Sequence, residues 1–297
     1  MRVFVTGASG WIGSAVTDEL LAAGHEVVGL ARSESSAHNL EAKGASVQRG
    51  DLDDLDSLRA GAQSTDAVVH LANKHDFARP AVSNLAERNA VQALGDVLVG
   101  SDRPFLVAAG VAGLVLGRAS TENDANPSHG LDSPRGGSEN LAHEYTTRGV
   151  RTVSVRFAPT VHGHGDHGFV STLVDVARAT GVSGYVGDGA NRWPAVHRSD
   201  AARLVRLAIE SATPGSVLHA VGEEGVPART IAEAIGRALD LPVASIPEGE
   251  ASGHFGWIGG FFALDIPSSS ALTQQRLGWV PSGPTLLDDI ANGAYTA

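Results

Sequence analysis

Apolar residues fall into two rhythms along the first half of the chain. Strands are expected at residues 2–5, 26–30, 46–48, 67–70, 104–108 and 151–157, and several of these, such as 67–70 and 104–108, are short apolar runs without alternation. Such runs suit parallel strands covered on both faces, because a strand with one wet face alternates polar and apolar positions. Between the runs, apolar positions recur three and four residues apart. That spacing predicts helices over 12–23, 36–42, 55–60, 85–98 and 137–147. Strand and helix therefore alternate, and an α/β fold with a doubly wound parallel sheet is expected. Further helices are predicted over 169–179, 200–211 and 228–239. Residues 112–134 are rich in Gly, Asn, Asp, Pro and Ser and read as a loop, of a length that is more often functional than idle.

The first predicted strand runs into Thr6-Gly7-Ala8-Ser9-Gly10-Trp11-Ile12-Gly13, and an amphipathic helix with Ile12, Val16, Leu20 and Leu21 follows. Glycines at this spacing let backbone N–H groups approach a pyrophosphate, with the positive end of the helix facing it. An ordinary tight turn between strand and helix has the same glycines. The flanking strand and helix favour a dinucleotide, held by Thr6, Gly7, Ser9, Gly10, Trp11, Ile12 and Gly13. The sheet is thus expected to be Rossmann-like. Residues 1–160, completed by about 198–222, would form this dinucleotide-binding domain, with 161–197 and 223–297 as a smaller C-terminal substrate-binding subdomain.

The second strand ends Leu30-Ala31-Arg32-Ser33. An acid at this strand end would accept from the ribose 2′-OH of NAD; Ala31 stands there instead. Arg32 and Ser33 suit a 2′-phosphate, which selects NADP, whereas the plainer reading makes Arg32 a surface arginine. Glu34 comes too late to serve the ribose well.

Composition narrows the partners. The chain has 297 residues, 42% of them hydrophobic, and a formal net charge of −11. That charge argues against nucleic acid and anionic membranes. The absence of cysteine excludes disulfides, thiolate metal sites and cysteine nucleophiles. The longest apolar stretch, 105–117, is too short for a bilayer and contains glycines. Met1-Arg2 leads directly into the first strand, so no signal peptide is expected and a cytoplasmic location is.

Together with the glycine turn, several further motifs carry a resemblance. They are Gly50-Asp51-Leu52, His70-Leu71-Ala72, Arg156 with Val161-His162-Gly163, Val196-His197-Arg198-Ser199-Asp200, and Leu277-Gly278-Trp279-Val280-Pro281. Over nearly its whole length the chain resembles the extended and atypical short-chain dehydrogenase/reductases, the epimerase/dehydratase-like enzymes among them. The resemblance implies that Asp51 and Leu52 meet the adenine and that Leu71 and Ala72 lie along the cofactor. A turn or helix cap is the plainer role for Asp51. The resemblance breaks at the catalytic Tyr-x-x-x-Lys. Arg135 falls at the tyrosine position and Glu139 at the lysine position, and no lysine follows Lys74. The helper serine is also missing, since the fifth strand ends Val107-Ala108-Ala109-Gly110, and Glu87 falls near the family's asparagine.

Two readings stand for Arg135 and Glu139. Four residues apart on a helix, they form a surface ion pair. Alternatively, Arg135 faces the cleft and polarises a carbonyl, though it could not readily donate a proton. Lys74 and His75 follow the fourth strand, at the edge where ligands sit in such sheets, and are candidates for phosphate contact and general acid; the plainer reading is a solvated loop. His162, His164, Asp166 and His167 match no common zinc spacing, so no metal is expected. The backbones of Thr160 and Val161 are candidate nicotinamide ligands, and His162 and His197 complete the catalytic candidates. Gly110, Trp193 and Trp257 are candidates for the substrate wall.

The expected activity is hydride transfer between NADPH and a carbonyl of a small to medium, partly apolar substrate. The rivals are an epimerase or dehydratase that retains NADP, and a non-catalytic NADP-binding sensor. The resemblance implies a homodimer through 85–98 and 137–147, and the apolar positions Val97, Val99 and Leu141 beyond a minimal core stripe agree with it.

Overall fold

The computed structural model describes residues 1–76 and 78–296. Its first half alternates strand and helix as the apolar rhythm predicts: β1 (Arg2–Thr6), α1 (Trp11–Ala22), β2 (Glu26–Ala31), α2 (Glu34–Ala42), β3 (Ser46–Arg49), α3 (Leu55–Gln63), β4 (Ala67–His70), α4 (Pro80–Leu98) and β5 (Pro104–Gly110). After a long loop come α5 (Ser138–Glu144), β6 (Arg151–Phe157), β7 (Thr160–His162), α6 (Phe169–Thr180), β8 (Ser183–Val186), β9 (Arg192–His197), α7 (Arg198–Ser211) and β10 (Ser216–Ala220). The chain continues through β11 (Glu223–Pro227), α8 (Ala228–Leu239), β12 (Val243–Ile246), α9 (Ala251–Phe255), α10 (Gly259–Phe262), α11 (Ala271–Leu277) and α12 (Leu286–Ala291).

Seven parallel strands form the main sheet in the order β10-β6-β5-β4-β1-β2-β3. Strand β1 shows why both faces read apolar. Val3 and Val5 pack into the core under α1 and α7, while Phe4 between them packs into the core under α3 and α4. The chain winds outward in both directions from β1 and β4, which leaves a crevice at their carboxyl ends. A third core gathers Trp193, Phe255 and Phe262 beneath α6 and α8, beside the small sheets β11-β9-β7 and β12-β8. No helix among the described residues is long and apolar enough to cross a membrane.

The motifs near the C-terminus join these parts. Trp279 is fully buried and donates from Nε1 to the Asp200 carbonyl at 3.0 Å. The Asp200 carboxylate accepts from the backbones of Ser282 and Gly283 at the start of α7.

Two expectations change. The helix predicted over 137–147 begins late, because Arg135, Gly136 and Gly137 form a left-handed turn with φ of 54°, 61° and 63°. A Cβ on Gly136 would lie 2.4 Å from the Asn84 carbonyl oxygen, so the turn is clamped against α4. Leu141, assigned to a dimer face, is instead buried against α4, and Val97 packs on the same core; Val99 is exposed. Periodicity shows that a face is apolar but not which neighbour covers it.

Candidate active site

A cleft of about 1110 Å³ lies along the carboxyl ends of the main sheet. One end is lined by Arg32 after β2 and Asp51 after β3, the middle by the glycine turn after β1 and Leu71 after β4, and the other end by Gly110 of β5. The glycine turn fits closely under it. A Cβ on Gly13 would lie 2.0 Å from the Gly7 carbonyl oxygen, and one on Gly7 would lie 2.8 Å from the Ala72 amide. Only hydrogen fits at these points, and the open side of the turn faces the cleft. This is the cradle a dinucleotide pyrophosphate requires.

Most residues assigned to the cofactor reach this space. Gly7, Ser9, Gly10, Trp11, Ile12 and Gly13 line it, as do Arg32, Asp51, Leu52, Leu71, Ala72, Lys74 and Val161. Two do not. Thr6 is fully buried, where its hydroxyl meets His70 Nδ1 at 2.8 Å and accepts from the Ala72 amide. Ser33 caps α2 by accepting from the Ser36 amide, and Ser36 lines the cleft in its place.

The adenosine end shows how local chemistry sets charge. Arg49 engages Glu34 at 2.6 Å, which neutralises that acid. Arg32 is exposed at the cleft and has no ion-pair partner among the described residues. Asp51 closes the turn before α3 with Oδ1, accepting from the amides of Asp53 and Asp54, while Asp54 caps the helix, and Asp51 still lines the cleft. Lys74 pairs with Asp53 at 2.7 Å.

At the other end stand His75 and Arg135. Both line the cleft, and both have positive φ, 50° and 54°. Strained non-glycine residues persist where the surroundings enforce them, and they cluster at functional sites. The enforcing group is Glu87 of α4, which is fully buried. Its Oε1 accepts from Arg135 Nη2 at 2.5 Å, and its Oε2 accepts from Asn73 Nδ2 at 3.0 Å. Asn73 Oδ1 in turn accepts from the His75 amide at 2.8 Å. His70 Nε2 lies 3.8 Å from Glu87, which favours the Nε2–H tautomer and lets Nδ1 accept from Thr6.

Burial alone would push the Glu87 carboxyl up. The Arg135 and His70 charges and the hydrogen bonds from Arg135 and Asn73 outweigh it and hold the group below its ordinary value. Burial, reinforced by the Arg135 charge, holds His75 below its ordinary 6.5. The cleft therefore presents a paired guanidinium and a neutral imidazole near pH 7.

The surface ion pair expected between Arg135 and Glu139 does not form, because the left-handed turn removes helical spacing. Glu139 is buried and accepts instead from Arg156 Nε at 2.8 Å and from Asn126 Nδ2 at 2.5 Å.

Three other assignments are corrected. His162 and His197 are register partners on β7 and β9, and this pairing turns both toward α12 instead of the cleft. His162 is fully buried with Nδ1 2.6 Å from Asp289, and His197 caps α7 through Ser199. Trp193 is fully buried and supports the substrate wall from behind. Its ring packs 5.1 Å from Phe261, and Phe261 itself lines the cleft with Phe169 and Trp257. Gly110 and Trp257 both line the cleft. Val161 reaches the cleft, but its carbonyl accepts from Trp11 Nε1 at 2.7 Å.

Sequence reasoning missed Asn73 and the aromatic pair Phe169 and Phe261, and it left Glu87 without a role. The sequence is apolar around Phe261, from Phe255 to Phe262, but only the fold shows which ring faces inward.

The buried histidines make stability depend on pH. Burial, the largest cause at each, holds His70 and His219 below 6.5. The unfolded chain protonates these groups first, so stability falls as pH drops below 6.5, by up to about 1.4 kcal/mol per pH unit for each. The thermal midpoint is expected to decline steadily from pH 7 to pH 5.5. A midpoint that rises over this window would contradict the assignment.

Comparison with known proteins agrees with this geometry. Residues 3–95 match the profile of the NAD dependent epimerase/dehydratase family. An uncharacterized protein of Schizosaccharomyces pombe is 47% identical over 296 residues, covering 99% of this chain and 100% of that one. Another, from Saccharomyces cerevisiae, is 45% identical and covers 98% of each chain. The solved structure of a dTDP-glucose 4,6-dehydratase from Streptomyces venezuelae, with NAD bound, superposes with a TM-score of 0.78 at 22% identity, covering 99% of this chain and 96% of that one. Residues 3–95 thus match the NAD dependent epimerase/dehydratase family, the whole chain shares the fold of the dehydratase, and over its full length the chain belongs to one family with these two yeast proteins.

Proposed function

We propose that the protein is an NADP-dependent oxidoreductase that interconverts a carbonyl and an alcohol on a small to medium, partly apolar substrate. The observation that carries this reading is the pair of strained residues, His75 and Arg135, presented to the same cleft as the glycine cradle. Arg32 and Ser36 would hold a 2′-phosphate, since Ala31 supplies no acid and Arg49 has already engaged Glu34. Bound there, the nicotinamide supplies or accepts a hydride.

The chain's own residues do the rest. Arg135 donates hydrogen bonds to the carbonyl oxygen and stabilises the negative charge that develops on it. Glu87 holds the guanidinium in place from below. Arg135 keeps its proton throughout, so the alkoxide is protonated by the His75 imidazolium or by water. The rings of Phe169, Phe261 and Trp257 receive the apolar part of the substrate and exclude water.

The test is NADPH consumption across a panel of aldehydes and ketones, followed against pH. With His75 as donor, reduction accelerates as pH falls below 6.5, because the folded histidine protonates only below that value. His75→Gln then removes that limb. Tight NADPH binding with no consumption on any carbonyl would favour the sensor reading.

A further inference from the structure

Beside the cleft lies a second cavity of about 430 Å³. Ala109, Gly110, Ala112 and Arg135 line both spaces, so the side cavity adjoins the cleft where Arg135 enters it. Gly110 leaves the passage open: a Cβ built on it would meet nothing within 4 Å. The far wall comes from the 112–134 loop, and Ser138 at the start of α5 closes it.

The charges around this cavity are matched. Arg135 is paired with Glu87, and Glu139 with Arg156. Most of its polar groups are also occupied. Asn126 donates to Glu139 and accepts from the Ser128 amide, and the Ser133 hydroxyl donates to the Gly130 carbonyl. Besides Arg135 Nε, which is buried without a partner among the described residues, two hydroxyls remain. Those of Ser128 and Ser138 have no hydrogen-bond partner among the described residues, and Ser138 is only 2% exposed. The Ser138 hydroxyl is open to the cavity, so a group bound there can hydrogen-bond to it. A hydroxyl both donates and accepts, which suits an uncharged partner.

We infer that the side cavity is the second arm of the substrate site and takes an uncharged, hydrogen-bonding substituent, a hydroxyl or primary amide, carried next to the reacting carbonyl. This rests on the carbonyl-reductase reading above. The other arm is the aromatic wall at Phe169 and Trp257. The substrate class is then a ketone with a neutral polar group on one side and an apolar group on the other. Sites built to hydrogen-bond a substrate group reject the analogue that lacks it far more strongly than apolar pockets reject a missing methylene.

Three ketones with one phenylethyl arm test this: a methyl ketone, a hydroxymethyl ketone and a 2-keto acid. Each is titrated by calorimetry into the protein loaded with NADP⁺, where reduction cannot occur, and kcat/KM is then measured with NADPH. The hydroxymethyl ketone is expected to bind at least about tenfold more tightly than the methyl ketone, and the keto acid no more tightly than the methyl ketone. Ser138→Ala should cut the tenfold advantage to below about threefold, with NADP⁺ affinity and thermal midpoint read as checks on folding. Equal binding of the first two, tightest binding by the keto acid, or an advantage that survives both Ser138→Ala and Ser128→Ala overturns the inference. The two readings fail separately. Ranked binding without NADPH consumption overturns the reductase reading, and consumption without ranked binding overturns the second arm.

Discussion

Arg135→Ala is expected to lower kcat for carbonyl reduction by about a hundredfold while NADPH affinity changes less than about twofold. The magnitude is that of removing one donor aimed at a developing oxyanion. The affinity is spared because the glycine turn and Arg32 follow β1 and β2, across the sheet from β5 at the Arg135 end of the cleft. The same substitution also leaves Glu87, fully buried, without its closest cation. A lone buried carboxylate is strongly destabilising, so the thermal midpoint should fall as well. Arg135→Ala combined with Glu87→Gln separates the two effects. The double variant should regain most of the midpoint, because neither charge is left stranded, and should remain slow. A double variant that regains both stability and rate would make Arg135 a structural residue. Arg135→Ala at full rate on a substrate the parent reduces would remove it from the site.

The second large effect is on cofactor choice. The parent is expected to bind NADPH more tightly than NADH, and Arg32→Ala to weaken NADPH by about ten- to a hundredfold, the value of one charged contact to phosphate. NADH affinity should hardly move. The preference depends on neighbours: Glu34 is the only acid in the first turn of α2, and Arg49 holds it at 2.6 Å. A parent that prefers NADH, or an Arg32→Ala variant with unchanged discrimination, contradicts the assignment. Fluorescence titration of both nucleotides against both proteins measures it.

What the sequence disclosed followed from local physics. The glycines of 7–13 state their own requirement, because their spacing and flanks are consecutive in the chain. Parallel strands such as 67–70 and 104–108 announce themselves by lacking alternation, since both faces are covered. The candidate site was legible to the extent that its groups follow strand ends, as with Asp51, Leu71, His75 and Gly110.

The rest depended on contacts between distant segments. Glu87 and Arg135 are 48 residues apart, and nothing in either neighbourhood shows that they meet. The pairing of β7 with β9 fixes where His162 and His197 point, and sequence gives no register for strands joined through a helix and a third strand. Trp193 and Phe261 exchange places in the substrate wall because only one of two adjoining aromatic layers faces the cleft. The turn at 134–137 had a local signal. Pro134 before Arg135, with two glycines after it, disfavours a helix start at the tyrosine position.

Isotope transfer reads the hydride step directly. The protein is incubated with NADPH carrying deuterium at one face of C4, in parallel for each face, together with the hydroxymethyl ketone and the wider carbonyl panel. The expected result is an alcohol product with one deuterium on the former carbonyl carbon, from one of the two labelled faces and not the other. Saturable NADPH binding with no deuterium in any product would contradict it.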